Sequence, residues 1–190
     1  EITKANKDYV LLTNAPRPNK VVKTILEKMG MNKKIRDKVY SSGEASLSYL
    51  KKNYSDKSFY HIGPTRDFDL FSDFKKNKSK DIKDSQYLLC TGLFEEQVED
   101  LNYYKDLLKD HINKIMICTN PDLIVDKGNR RELCAGSVAL VFEKIGGKVI
   151  YFGKPFPEVY KQAINNEGKR VLSIGDNLNT DIKGANLLNF

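Results

Sequence analysis

Polar and charged residues follow four short apolar runs of the 190-residue sequence, where strands of a sheet would end. In open α/β sheets ligands bind outside the carboxyl ends of the strands, so these exits are the first candidates for chemistry. The four groups are Thr13-Asn14, Thr119-Asn120-Pro121-Asp122, Gly153-Lys154-Pro155, and Gly175-Asp176-Asn177 with Asp181 shortly after it. Histidine triads and zinc sites are disfavoured, because the sequence has 2 His, 3 Cys and no C-x-x-C pair.

The acidic pair at the last exit could bind a divalent cation. Asp176 follows an apolar run and a glycine, and Asp181 stands five positions later at a predicted helix start. Carboxylate oxygens are the hard ligands that such a cation prefers. Each residue also has a purely structural interpretation, since Asp181 would favour the first turn of a helix and Asp176 could bind turn amides.

The other exits supply donors for an anion. Lys154 offers an ammonium, while Thr13 and Asn14 offer a hydroxyl and the amides of a turn. Alone, Lys154 would be a surface lysine and Thr13-Asn14 an ordinary turn. Together with an acidic metal-binding pair, they match the needs of phosphoryl transfer, which are neutralised oxygens, a cation and positioning. The competing phosphate patterns G-x-x-x-x-G-K-[ST] and G-x-G-x-x-G do not occur.

Alternating strands and helices must position these groups. Apolar runs predict strands at 9–13, 38–41, 59–62, 87–90, 115–118, 149–152 and 171–174. Helical spacing, with Pro18 and Gly30 as start and stop signals of the first helix, predicts helices at 18–29, 43–52, 96–111, 135–145, 157–165 and 181–188. A polar stretch, 67–84, and a loop with Pro121 and Gly128 lie between them. This order predicts an α/β fold with parallel strands and crossover helices.

The amino-acid composition and charge disfavour several classes of protein. With 40% hydrophobic and 30% charged residues the chain reads as an ordinary globular protein, and no apolar run has the length of a membrane span. The net charge of +7 comes from scattered residues, mostly 26 Lys against 6 Arg, which favours solubility over nucleic-acid binding. The odd cysteine number predicts a reducing cytoplasm.

The motifs, in this order, resemble the haloacid dehalogenase superfamily, and within it the phosphatases related to the ribonucleotide monophosphatase NagD and to 4-nitrophenylphosphatase. The resemblance rests on Leu11-Leu12-Thr13-Asn14, Gly153-Lys154-Pro155 and Gly175-Asp176-Asn177-Leu178-Asn179-Thr180-Asp181-Ile182, with Ser41-Ser42-Gly43-Glu44-Ala45 and Thr119-Asn120-Pro121-Asp122 in support. It implies a Rossmann-like core, residues 1–56 and 149–190, whose parallel sheet is split by an inserted α/β cap domain, residues 57–148.

The resemblance also implies roles for single residues. Thr13, the Asn14 backbone and Lys154 would bind the phosphoryl oxygens, and Lys154 and Asp181 would be catalytic. Asp176 would bind Mg²⁺, with Asn177 reaching it through water. Asn120 and Asp122 would contact the substrate from the cap, with a plain turn as the alternative. The implied activity is phosphatase action on a small phosphorylated metabolite of the nucleotide or sugar phosphate class.

One family motif is not in place. The family attacks phosphate through an Asp-x-Asp at a strand end well before the second motif, forming an aspartyl-phosphate, and only 12 residues precede Thr13 here. We therefore expect the nucleophile upstream of Glu1, a chain truncated at both ends, and no activity from these residues alone. The alternative is a non-catalytic module that binds a phosphorylated metabolite or a protein partner. Neither nucleic acid nor membrane is expected as a partner, and a homodimer is a candidate assembly.

Overall fold

Strands and helices alternate along the chain. A computed structural model of the protein describes residues 7–164 and 170–190. The strands are β1 Leu11–Thr13, β2 Val39–Ser41, β3 Phe59–Ile62, β4 Tyr87–Cys90, β5 Ile115–Cys118, β6 Ile124–Lys127, β7 Arg130–Leu133 and β8 Lys148–Tyr151. The α-helices are α1 Asn19–Lys28, α2 Lys33–Arg36, α3 Ser42–Asn53, α4 Leu101–Leu108, α5 Ala135–Lys144, α6 Pro157–Ala163 and α7 Lys183–Leu187. The predicted α/β class is confirmed.

A four-stranded parallel sheet forms the centre of the fold, in the order β3-β4-β5-β8. Both of its faces are covered, because all four residues of β4 are buried although their side chains alternate between the faces. One face packs Leu88 and Cys90 with Phe142 of α5. The other packs Tyr87 and Leu89 with a cluster of aromatic rings. Burial on both faces explains why these strands are continuous apolar runs in the sequence.

A second, two-stranded parallel sheet joins β1 to β2 in register, with Leu11 opposite Val39. Helix α3 follows β2 directly. Its first turn is capped by Ser41, whose hydroxyl accepts the Glu44 backbone N–H at 3.1 Å. The Glu44 side chain in turn accepts the Asn19 backbone N–H at 2.8 Å, which ties α3 to the start of α1. These contacts hold the start of α1, where the loop after β1 ends, against the start of α3.

Three predicted stretches differ in their bounds or type. The predicted loop after β5 contains an antiparallel hairpin, β6 with β7. Polar residues and Gly128 at its turn hide the strand pattern. Helix α4 begins at Leu101 and not at residue 96, because the Asp100 carboxylate accepts the N–H groups of Asn102 and Tyr103 and caps the helix there. The polar stretch forms two short 3-10 helices, Thr65–Leu70 and Ser72–Asn77.

The strand predicted at 171–174 is wrong. The segment has no regular structure, and Leu172 and Ile174 are 82% and 78% exposed. An apolar run forms a strand only beside a partner, and none of the strands in the described residues pairs with this one. The predicted last helix begins as a short π-helical turn, Leu178–Ile182, before α7. The helix predicted to reach Asn165 ends at Ala163, and Asn165 lies outside the described residues.

The division into core and cap stays a prediction. Strand β8 pairs with β5, so the four-stranded sheet draws on both sides of the predicted boundary between residues 148 and 149. Within residues 7–164 and 170–190, no helix combines the length and the apolar character needed to cross a membrane.

His61 is a buried polar residue of the central sheet. It lies on β3, is 5% exposed, and its Nε2 is 2.9 Å from the hydroxyl of Thr91. Burial, helped by the nearby Lys78, lowers the pKa of His61 from 6.5 to about 3. The folded protein therefore holds this imidazole neutral over a pH range in which the unfolded chain protonates it.

This pKa shift predicts how stability depends on pH. Because the folded pKa is depressed, the contribution of His61 is present above pH 6.5 and is lost as pH falls towards 3. Urea unfolding between pH 7.5 and 5.5 should show a loss approaching about 1.4 kcal/mol per pH unit below the unfolded pKa. The loss should be absent in His61→Gln and retained in His111→Gln. Equal slopes in the two variants would contradict the assignment.

Candidate functional site

The candidate site is built from loops that follow β1, β5 and β8. Strands β5 and β8 are parallel neighbours, so Asp122 and Lys154 leave the sheet from the same edge. Asn14 follows β1 and joins them, although it is 108 residues from Asp122 and 140 from Lys154 in sequence. Three of the groups that the sequence singles out therefore meet in space.

The Asn14 side chain is the link between these loops. It is 8% exposed, and its amide pairs with the backbone of Lys154 in both directions. The Lys154 N–H donates to Asn14 Oδ1 at 2.7 Å, and Asn14 Nδ2 donates to the Lys154 carbonyl at 3.0 Å. Asn14 Nδ2 also donates to Asp122 Oδ1 at 2.8 Å. Both amide N–H groups of Asn14 are thus used by the protein.

Gly153 allows this close approach. Its φ is +125°, and a Cβ there would lie 2.5 Å from Pro121 Cδ and 2.8 Å from Asn14 Oδ1. Any side chain at this position would therefore push Asn14 or Pro121 away. The glycine before Lys154 is required by the packing of the β5 and β1 loops against it.

Lys154 and Asp181 form an ion pair that is largely removed from water. Lys154 Nζ donates to Asp181 Oδ1 at 2.6 Å, and the two side chains are 16% and 12% exposed. Asp181 Oδ2 accepts the backbone N–H of Asn177 at 3.3 Å. Gly175 packs so closely on the Asp181 side chain that a Cβ would overlap it. The ammonium is thereby held at one place at the edge of the site.

Asp122 differs from Asp181, because its carboxylate meets a neutral amide. Its backbone N–H donates to Asn120 Oδ1 at 3.0 Å, which is the turn considered as the plain alternative for Asn120. Burial raises the pKa of Asp122 above its ordinary value, the Asn14 amide and Lys154 oppose that rise, and Asp181 adds to it. The Asn120 side chain and the Asp122 carboxylate therefore each bind a group of the protein itself.

The loop that follows Thr13 at the end of β1 is held in place by the start of α3. Thr13 Oγ1 accepts the Ala15 N–H at 3.2 Å. The Ala15 carbonyl accepts the Ser42 hydroxyl at 2.9 Å and the Gly43 N–H at 3.1 Å. A Cβ on Gly43 would overlap the Arg17 backbone. The Ser41 to Ala45 stretch that supports the family resemblance thus shapes the loop, which is a structural role.

The metal candidates lie beside Asp181 in the chain. Asp176 is exposed, and the Asn177 side chain accepts the N–H groups of Asn179 and Thr180 at 2.9 and 3.2 Å. In the part of the chain that the structure describes, no group of three His, Cys, Asp or Glu side chains could enclose an ion. Mg²⁺, however, keeps several waters and commonly binds one or two carboxylates together with substrate phosphate oxygens. An exposed Asp176 beside the Lys154–Asp181 pair fits that mode of binding.

A second buried polar group was not found from the sequence. Asp67 is 4% exposed and its Oδ1 lies 3.4 Å from Nε of Arg17. Burial raises the pKa of Asp67, while Arg17 and the hydroxyl of Thr91 oppose the rise. Thr91 also contacts His61. Nothing in the local sequence signals this chain of contacts, because Arg17, Asp67 and Thr91 come from separate segments of the chain.

Comparison with known proteins finds two family matches along the chain. The family of haloacid dehalogenase-like hydrolases matches residues 1–75, and a second family described as HAD-hydrolase-like matches residues 151–190. The two matches include the Thr13-Asn14 loop and the Lys154 to Asp181 region. The central sheet lies mainly between them.

Three relatives illustrate the likeness. A haloacid dehalogenase-like hydrolase from Brucella suis 1330 has a TM-score of 0.83 and 28% identity, with 97% of this chain and 74% of that chain covered. A 4-nitrophenylphosphatase from Thermotoga maritima has a TM-score of 0.72 and 23% identity over 97% and 71%, which shows the fold alone. A dihydroxyacetone phosphatase from Corynebacterium glutamicum (strain R) is 25% identical over 160 residues, 78% of this chain.

The chain spans only about half of that dihydroxyacetone phosphatase, 54% of its length. The matches nevertheless agree with one another, because both family descriptions and the Brucella suis structure name the same superfamily. The chain is therefore similar to the haloacid dehalogenase-like hydrolases over residues 1–75 and 151–190, and it shares its fold with the 4-nitrophenylphosphatase from Thermotoga maritima.

Proposed function

We propose that this chain forms the phosphate-binding part of a Mg²⁺-dependent phosphatase that acts on a small phosphorylated metabolite. The observation that carries the proposal is the Lys154 ammonium, which Asp181 holds at the edge of the site while the Asn14 amide binds the Lys154 backbone. Phosphatases among the relatives support it, since a dihydroxyacetone phosphatase and a possible sugar phosphatase from Cytophaga hutchinsonii ATCC 33406 are both similar to this chain. A sugar phosphate or nucleotide is the substrate class we propose.

The proposed roles follow from the donors that remain free. An ammonium has three N–H donors, and Asp181 takes one of those on Lys154, so two can bind phosphoryl oxygens. Thr13 Oγ1 already accepts an N–H, so its own O–H is left to donate to a phosphoryl oxygen. The backbone N–H of Asn14 would complete this group, because its side chain is occupied. Such donors stabilise the charge of a phosphoryl group in transfer.

The acidic residues would serve the cation. Asp176 would hold Mg²⁺, with Asn177 contributing through water. When bound, the ion would neutralise phosphoryl oxygens and orient the group for attack. Asp181 would orient Lys154, because its carboxylate is already committed to that ammonium. The nucleophile of the proposed aspartyl-phosphate route would be an aspartate of an Asp-x-Asp motif placed before Thr13. A homodimer and a cytoplasmic location stay predictions.

The first test is phosphate release by the protein expressed with the sequence that precedes Glu1, beside the 190-residue chain. With Mg²⁺, the longer protein should release phosphate from a panel of nucleotides, sugar phosphates and p-nitrophenyl phosphate. EDTA should abolish the release and excess Mg²⁺ restore it, whereas the 190-residue chain should bind phosphate without turnover. Thermal stabilisation by phosphate in both proteins with no turnover in either would favour the non-catalytic module.

A second test removes the ammonium. Lys154→Met should lower kcat by about 100-fold or more, because it removes charge stabilisation at the phosphoryl group. It should also lower the free energy of unfolding by about 1–3 kcal/mol, because the largely buried Asp181 carboxylate loses its partner. Both quantities are measured by steady-state kinetics and urea unfolding.

Lys161→Met is the matched control. Lys161 makes an ion pair with Glu158 at 3.0 Å, but these side chains are 62% and 51% exposed. Exposed pairs contribute at most about 1 kcal/mol, so kcat should not change and stability should change little. Comparable losses of kcat in the two variants would show that the effect is not specific to the site.

A further inference from the structure

Asp122 holds a neutral amide in a part of the site that is rich in charge. Its Oδ1 accepts Asn14 Nδ2 at 2.8 Å, while the nearby ammonium of Lys154 is paired with Asp181. Oδ1 of Asp122 thus accepts a hydrogen bond within the protein, from the Asn14 side chain that also binds the Lys154 backbone.

This contact selects one orientation of the Asn14 amide. In the observed orientation, Oδ1 meets the Lys154 N–H, and Nδ2 meets both the Lys154 carbonyl and the Asp122 carboxylate. A flipped amide would set Nδ2 against an N–H and Oδ1 against a carbonyl and a carboxylate, which are repulsive contacts. The charge of Asp122 therefore adds to the preference for the orientation that binds both backbone groups of Lys154.

The backbone at Asp122 is held in place by helix α5. Its carbonyl accepts the Gly136 N–H of α5 at 3.1 Å, and a Cβ on Gly136 would overlap the Pro121 and Asp122 carbonyls. The Leu123 carbonyl accepts the Ser137 hydroxyl at 2.6 Å. The Asp122 carboxylate thus extends from a turn that is hydrogen-bonded to α5. It therefore offers the Asn14 amide a hydrogen-bond acceptor at a fixed place.

We propose that Asp122 is a positioning residue, which acts through the Asn14 amide to fix the Lys154 backbone and so the place of its ammonium, and that it makes no contact with the substrate. The proposal rests on the proposed phosphatase function. The Asn14 side-chain amide binds both the backbone N–H and the carbonyl of Lys154. The Lys154 Cα, from which its side chain extends, is therefore fixed relative to β1. Displacement of a catalytic group by about 1 Å can lower the rate 100-fold.

The test compares Asp122→Ala, Asp122→Asn, Asn14→Ala and the double variant Asn14→Ala/Asp122→Ala in the active protein. Asp122→Ala and Asn14→Ala should each lower kcat by about 10- to 100-fold with little change in KM. The double variant should be no worse than the poorer single variant. Asp122→Asn should recover most of kcat, because its amide oxygen can still accept from Asn14. Asp126→Ala, which removes an exposed carboxylate of the adjoining hairpin, is the control.

A substrate-binding role for Asp122 predicts a different pattern. Asp122→Asn would then be as impaired as Asp122→Ala, KM would rise, and the losses in the double variant would multiply. Any of these results overturns the positioning role. Equal kcat in Asp122→Ala and the parent protein overturns it as well.

Failure of the phosphatase function would be recognised separately. If the parent protein has no turnover, the same variants are compared for binding of inorganic phosphate to the 190-residue chain by calorimetry. Weaker binding in Asp122→Ala with recovery in Asp122→Asn supports the positioning role. Equal affinity in these variants, or no binding by the parent chain, overturns it.

Discussion

The hydrogen bonds of one buried amide determine the geometry of the candidate site. Asn14 joins the loop after β1 to the loops after β5 and β8, and it spans up to 140 residues of sequence. Backbone groups that are buried must find partners, so the Lys154 peptide would lose two hydrogen bonds if Asn14 moved. The place of the Lys154 backbone follows from this contact, and so in part does the need for glycine at position 153, where a Cβ would meet Asn14 Oδ1 as well as Pro121.

The charges of the site are arranged around that link. Lys154 and Asp181 neutralise each other where both are largely shielded from water, which keeps an ammonium in place without leaving a charge unpaired. A phosphoryl group entering the site would share the ammonium with Asp181. Exposed Asp176 would remain available for a cation that retains water. Fixed positive charge and a hydrated cation site are the two features that phosphoryl transfer requires of a protein.

Much of the fold could be predicted from local sequence, because β4 and β5 are apolar runs buried on both faces and helices α1 and α5 have clear periodicity. The hairpin of β6 and β7 could not, because its strands are exposed and carry charged residues such as Asp126 and Arg131. The strand predicted at 171–174 shows the converse, since an apolar run forms no strand without a neighbour.

The residues of the candidate site could be named from the sequence, but their contacts could not. The strand exits identify Thr13, Asn14 and Lys154 as residues that could bind phosphate, and Asp176 and Asp181 as residues that could serve a cation. Nothing in the sequence indicates that the Asn14 side chain is used up within the protein, or that Asp122 faces it. Such contacts between distant loops depend on the packing of the whole chain.

The most direct measurement is a crystal structure of the protein grown with Mg²⁺ and inorganic phosphate. The proposed function predicts a phosphate oxygen about 3 Å from Lys154 Nζ, the ion bound through Asp176, and the Asn14 side chain still paired with Lys154 and Asp122. Phosphate bound away from Lys154, or bound by the Asn14 side chain after it releases Lys154, would contradict the account.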